Sequence, residues 1–119
     1  MFEVRIETSF SSAHHLLNYK GKCENMHGHN WKVEVSLKGN ELDPSNILVD
    51  FKVLKKEVNE IIDQLDHKDL NQLPAFFGIS PSSEIIAKFI YDEVKKKFKN
   101  VARVSVYETP TSCATYYED

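Results

Sequence analysis

The chain has 119 residues, 41% of them hydrophobic and 28% charged, with a formal net charge of −3. That length fits a single domain over residues 1–119, large enough to bury about two thirds of its unfolded surface without disulfide staples. The acidic balance leaves no basic footprint for nucleic acid, no apolar run reaches membrane-spanning length, and no signal peptide is expected ahead of Met1-Phe2-Glu3. In the first segment Phe2, Val4, Ile6, Thr8 and Phe10 alternate with Glu3, Arg5 and Glu7, the pattern of a half-buried strand. The same parity carried past Phe10 reaches Ser12 and His14, whereas His15 has the opposite parity and is expected at the surface or in packing.

A turn-forming loop, Asn18-Tyr19-Lys20-Gly21-Lys22, leads to Cys23-Glu24-Asn25-Met26-His27-Gly28-His29. These seven residues hold a thiol, a carboxylate and two imidazoles, and Gly28 permits close approach to the backbone. A second strand follows, with Trp31, Val33, Val35 and Leu37 inward and Lys32, Glu34, Ser36 and Lys38 outward. Its parity run backwards includes His29 and His27. If the two strands pair as an antiparallel hairpin, His14, His27 and His29 lie together on the apolar side, where three imidazoles can close on one metal ion. A bulge between them would break that register.

Asp50 is a plausible cap for an amphipathic helix from about Phe51 to Leu65, and Asp66-His67 stands where that helix should end. Those two residues read either as a helix-terminal histidine beside a solvated acid or as an acid–imidazole pair that fixes a tautomer. A loop over Asn71 to Gly78 carries Pro74 and Phe76-Phe77. A second helix is expected near Ser80-Pro81-Ser82-Ser83-Glu84, with a serine cap and Pro in its first turn, and Lys95-Lys96-Lys97 at its C-terminal end. Two last strands place Ala102, Val104, Val106 and then Glu108 on one face, with Cys113 expected to be a small buried residue. Cys23 and Cys113 read as thiols of a reducing cytoplasm, the alternative being one disulfide between them. Strand, strand, helix, helix, strand, strand predicts an α+β domain, a four-stranded antiparallel sheet with two helices on one face.

Taken together, Phe10-Ser11-Ser12-Ala13-His14, Cys23-x-x-x-His27-Gly28-His29-Asn30, Leu65-Asp66-His67, Pro81-Ser82-Ser83-Glu84 and Tyr107-Glu108-Thr109 resemble the 6-pyruvoyltetrahydropterin synthase family over nearly the whole chain. Within it, the chain is most similar to the 6-carboxytetrahydropterin synthases of queuosine biosynthesis. The resemblance implies the tunnelling fold, a zinc ion on His14, His27 and His29, and a homo-oligomer, typically a hexamer, with active sites between subunits. It implies Cys23 as a proton-transferring thiolate, His67 as its helper and Asp66 as the group orienting that imidazole. Glu108 would anchor the pterin, with Ser82 and Ser83 nearby. The implied reaction converts 7,8-dihydroneopterin triphosphate to 6-carboxy-5,6,7,8-tetrahydropterin, with loss of triphosphate and acetaldehyde. The alternatives are the 6-pyruvoyl product, or cleavage to 6-hydroxymethyl-7,8-dihydropterin, a folate-branch reaction whose Glu-x-x-His-Gly-His pattern Glu24 completes. Glu24 would then be a second catalytic group; otherwise it is a solvated loop residue, the reading preferred from sequence. A zinc- or pterin-binding module without turnover would not need Cys23, Asp66 and His67 alongside the histidines and Glu108.

Overall fold

A computed structural model describes residues 1–21 and 24–119. The first two strands, β1 (Phe2–His14) and β2 (His27–Gly39), pair antiparallel along their full length, from Phe2 opposite Gly39 to His14 opposite His27. No bulge interrupts them, so the parity of the sequence survives intact to the ends of both strands. Helices α1 (Phe51–Ile62) and α2 (Ser83–Lys95) follow, and β3 (Val101–Thr109) and β4 (Ser112–Tyr117) complete an antiparallel sheet in the order β1-β2-β3-β4.

One core joins the layers. Trp31, Val33, Val35 and Leu37 of β2 are fully buried, together with Leu54, Val58 and Ile62 of α1 and Ile86, Ile90 and Val94 of α2. Each such side chain contributes about 1.5–3 kcal/mol relative to an exposed one, and this sets which way the sheet faces. The helices begin where capping chemistry places them. Asp50 accepts from the Lys52 N–H at 2.8 Å, and the Ser82 hydroxyl accepts from the Ile85 N–H at 3.3 Å. Pro81 therefore precedes the cap instead of occupying the first turn.

Several local expectations are corrected. Helix α1 stops at Ile62, and Leu65 reaches the core from the turns that follow. The expected loop after it contains two short 3-10 turns, Leu70–Gln72 and Pro74–Phe76, which bury Phe76 and leave Phe77 outside. In β3 a register shift skips Ala102, so Val101 takes the inward place opposite Leu37. Cys113 is exposed, because β4 is an edge strand and Cys113 pairs with outward Tyr107. Glu34 and Ser36, although they point away from the helices, are buried in mid-sheet, and Arg5 Nε lies 3.4 Å from the Glu34 carboxylate.

Candidate metal centre and its surroundings

The end of the β1–β2 hairpin puts His14 opposite His27, with His29 opposite Ser12, two residues back along the inward row. Glu108, near the end of β3, reaches the same spot. One ligand atom from each of His14, His27, His29 and Glu108 lies within 4.8 Å of all the others. The three rings are mutually edge-on, with centroids 4.7 to 5.3 Å apart. Trp31, the next inward residue of β2, packs edge-on against both His14 and His29 and fixes its own indole by donating to the Ser12 carbonyl at 3.2 Å.

Backbone carbonyls set the orientation of two of these rings. His14 Nδ1 is 2.8 Å from the Pro81 carbonyl, and His27 Nδ1 is 2.8 Å from the Asn25 carbonyl. A carbonyl can only accept, so each Nδ1 donates there, and each Nε2 is the nitrogen left to face the other rings. An imidazole that donates one nitrogen to a carbonyl while presenting the other is the usual arrangement around a bound metal. His29 adds an independent sign. Its Nε2 is buried without a hydrogen-bond partner among the described residues, although Glu108 Oε1 lies 3.2 Å away, off the hydrogen-bonding direction. Burial holds the His29 pKa below its ordinary value, which keeps the ring neutral, against the opposing pull of Glu108. Imidazoles converging at this separation, one of them with an orphaned nitrogen, fit a cation better than they fit one another.

Glu108 lies 3.1 Å from His14 Nε2 through the same oxygen that approaches His29. It also lines a cleft of ≈ 200 Å³ with Ser83, Glu84, Ser112, Cys113 and Ala114. Ser82 uses its hydroxyl oxygen as the cap of α2, and Ser83 is the first residue of that helix.

Asp66 and His67 form the acid–imidazole pair, with His67 Nδ1 2.9 Å from Asp66 Oδ2. They follow the end of α1 by several residues, so they are not a helix-terminal feature. The pair is docked on the outer edge of β1. Asp66 accepts the Ser11 N–H at 2.9 Å, the His67 N–H donates to the Ser11 carbonyl, and the Ala13 N–H donates to the Lys68 carbonyl at 3.0 Å. His67 adopts φ +56°, in the left-handed region uncommon for residues with a Cβ. The Ser11 N–H, and after it His67, hold the Asp66 carboxyl below the usual range. His67 is 82% exposed and does not join the converging imidazoles.

Glu24 is half-buried instead of solvated: its carboxylate accepts the Leu16 N–H at 3.1 Å and lies 3.8 Å from His27 Nδ1. The expected thiolate, Cys23, lies outside the described residues. At Gly28 an added Cβ would meet only the Ser12 carbonyl, at 3.9 Å, so close packing within the chain does not require glycine there. His15 is half-buried and tied to Asn71, which periodicity does not reveal. The Pro81 and Asn25 carbonyls were likewise beyond reach, because carbonyl direction leaves no mark on residue type.

Residues 3–119 match the family model described as 6-pyruvoyl tetrahydropterin synthase. A protein from Archaeoglobus fulgidus named putative 6-carboxy-5,6,7,8-tetrahydropterin synthase is 41% identical, over 88% of this chain and 86% of its own. The 6-carboxy-5,6,7,8-tetrahydropterin synthase of Bacillus subtilis is 36% identical, over 97% of this chain and 84% of its own. Among solved structures, the 6-pyruvoyl tetrahydropterin synthase of Caenorhabditis elegans superposes with a TM-score of 0.86 at 31% identity, covering 99% of this chain and 96% of that one. The sheet and helices are thus those of the tunnelling fold, and this chain belongs to the 6-pyruvoyl tetrahydropterin synthase family.

Proposed function

We propose that this protein is a zinc-dependent lyase of the cytoplasm, converting 7,8-dihydroneopterin triphosphate to 6-carboxy-5,6,7,8-tetrahydropterin for queuosine biosynthesis. The observation that carries the reading is the convergence of His14, His27, His29 and Glu108 within 4.8 Å in a chain of this family. The names of the Archaeoglobus and Bacillus relatives support the 6-carboxy product over its alternatives.

His14, His27 and His29 would hold the ion, two of them pre-oriented through Pro81 and Asn25. Zinc, when bound, supplies Lewis acidity that lowers the pKa of substrate hydroxyls. Three protein ligands leave a fourth position for substrate, whereas Glu108 as a permanent fourth ligand would close the site. Glu108 is accordingly assigned to the pterin, accepting from the paired N–H groups of its amino-pyrimidine edge, with Ser83 lining the same cleft and Ser82 capping the helix beside it. Cys23 and His67 move the protons of the substrate side chain. Asp66 holds the His67 Nδ1 proton, so Nε2 is free to accept one. A proton carrier as exposed as His67 suits a site completed by a neighbouring subunit. Two open strands, β1 and β4, give a homohexamer the edges along which to close.

The deciding experiment incubates purified, zinc-loaded protein with 7,8-dihydroneopterin triphosphate and identifies the products by mass. The 6-carboxy product with acetaldehyde is expected. A 6-pyruvoyl or 6-hydroxymethyl product would move the protein to another branch of the family, and unchanged substrate would overturn the reading.

A further inference from the structure

Beyond His14 the chain leaves the sheet, yet its next three residues are each fastened by a side chain from a different segment. At His15, the Asn71 amide acts as a two-pronged clip: its Oδ1 accepts the His15 N–H at 2.9 Å and its Nδ2 donates to the His15 carbonyl at 3.0 Å. At Leu17, the Ser80 hydroxyl does the same work with one atom, accepting the Leu17 N–H at 2.7 Å and donating to the Leu17 carbonyl at 3.3 Å. Between them, Leu16 is held by Glu24, whose carboxylate accepts the Leu16 N–H at 3.1 Å while its own N–H donates to the Leu16 carbonyl at 3.0 Å. Every backbone donor and acceptor of His15–Leu17 is thereby engaged, as it would be in a sheet, though no strand among the described residues runs alongside.

We propose that Glu24 is a positioning residue: with Asn71 and Ser80 it clamps His15–Leu17, and so fixes the segment that follows His14. The carboxylate of Glu24 is already committed. It faces the Leu16 N–H, while the neighbouring His27 Nδ1, 3.8 Å away, bonds to the Asn25 carbonyl instead. Protonating this carboxyl would weaken the charge-assisted bond that holds the Leu16 N–H, so holding the loop favours a carboxylate whose charge stays constant through turnover. Asn71 and Ser80, which fill the equivalent places on either side, have no proton to exchange near neutral pH, so the three residues share a structural task. As it bears on catalysis, the inference rests on the pterin-synthase reading; the clamp itself does not.

The test compares Glu24→Gln and Glu24→Ala in the full-length, zinc-loaded protein, reading kcat/KM against pH and amide hydrogen exchange at Leu16 and Leu17. Glutamine keeps an oxygen that can accept the Leu16 N–H but cannot carry a proton. Positioning predicts that Glu24→Ala lowers kcat/KM by about tenfold or more and speeds Leu16 exchange by a similar factor. It further predicts that Glu24→Gln recovers most of both, with the shape of the pH profile unchanged. Glu24→Gln as inactive as Glu24→Ala, with one limb of the pH profile lost, would make Glu24 a proton carrier and overturn the proposal. Leu16 exchange unaltered in Glu24→Ala would also overturn it, whatever the activity. If the wild type fails to turn over the pterin, exchange alone decides the clamp, and the failure belongs to the proposed function.

Discussion

The converging histidines and the Asp66–His67 pair are held by the β1–β2 hairpin in opposite ways. His14, His27 and His29 point inward from paired strands, packed against Trp31, with two ring nitrogens tied to carbonyls. Asp66 and His67 sit on the outer edge of β1, on a turn whose backbone is bonded to Ser11, and His67 is largely in water. The first group is preorganised by the sheet itself, the second only by its docking. Metal binding asks for fixed geometry, which paired strands give. A proton carrier that must meet a substrate held elsewhere can be displayed at an edge.

Breaking the inward group should have the largest effect. His27→Ala or His29→Ala is expected to remove stoichiometric zinc and lower kcat by about 10³-fold or more, while His15→Ala retains the metal. Full zinc occupancy in both single variants, measured by metal analysis of the purified protein, would place the ion elsewhere. Breaking the edge group should leave the metal in place. His67→Ala is expected to keep one zinc per chain and to lose about 10²–10⁴-fold in kcat. If sites are completed between subunits, mixing inactive Cys23→Ala and His67→Ala proteins should restore part of the activity, and a fully active monomer in sedimentation would contradict that. Glu108→Gln separates the two groups most finely. As a pterin anchor it should raise KM with zinc retained, whereas loss of zinc would make Glu108 a ligand.

The smallest effect concerns stability. Asp66 is held below its ordinary value of 3.8, chiefly by the Ser11 N–H and then by His67. A carboxylate depressed in the fold stabilises above its unfolded value, and that stabilisation is lost as pH falls through the lower folded value. Asp66→Asn should therefore melt lower than wild type near neutral pH, with the gap closing as pH falls below 3.8. A gap that stays constant in acid would show that the carboxylate charge does not matter.

The inward group was legible from sequence because it depends on one rule, the alternation of side chains along a strand, and β1 and β2 carry no bulge to shift it. The cap Asp50 was legible because a cap is a local exchange between a side chain and the next turn, whereas for α2 a serine cap was expected ahead of Pro81 and the cap is Ser82. Cys113 was misread because its exposure depends on β4 being an edge, a fact about sheet order and not about its neighbours in sequence. Ala102 was misplaced by a register shift that no residue type announces. Glu24 was read as solvated because its partner, Leu16, is eight residues away across a loop, and its bond there goes to the backbone. Side-chain clips on backbone leave no periodicity to find.

The central claim, that three imidazoles of one corner hold a catalytic metal with a place left for substrate, is tested most directly by zinc K-edge X-ray absorption on the full-length protein. The account predicts three imidazole nitrogens at about 2.0–2.1 Å and one further light-atom ligand. A sulfur scatterer at about 2.3 Å would make a cysteine a ligand instead of a proton carrier, and fewer than three imidazoles would contradict the site itself.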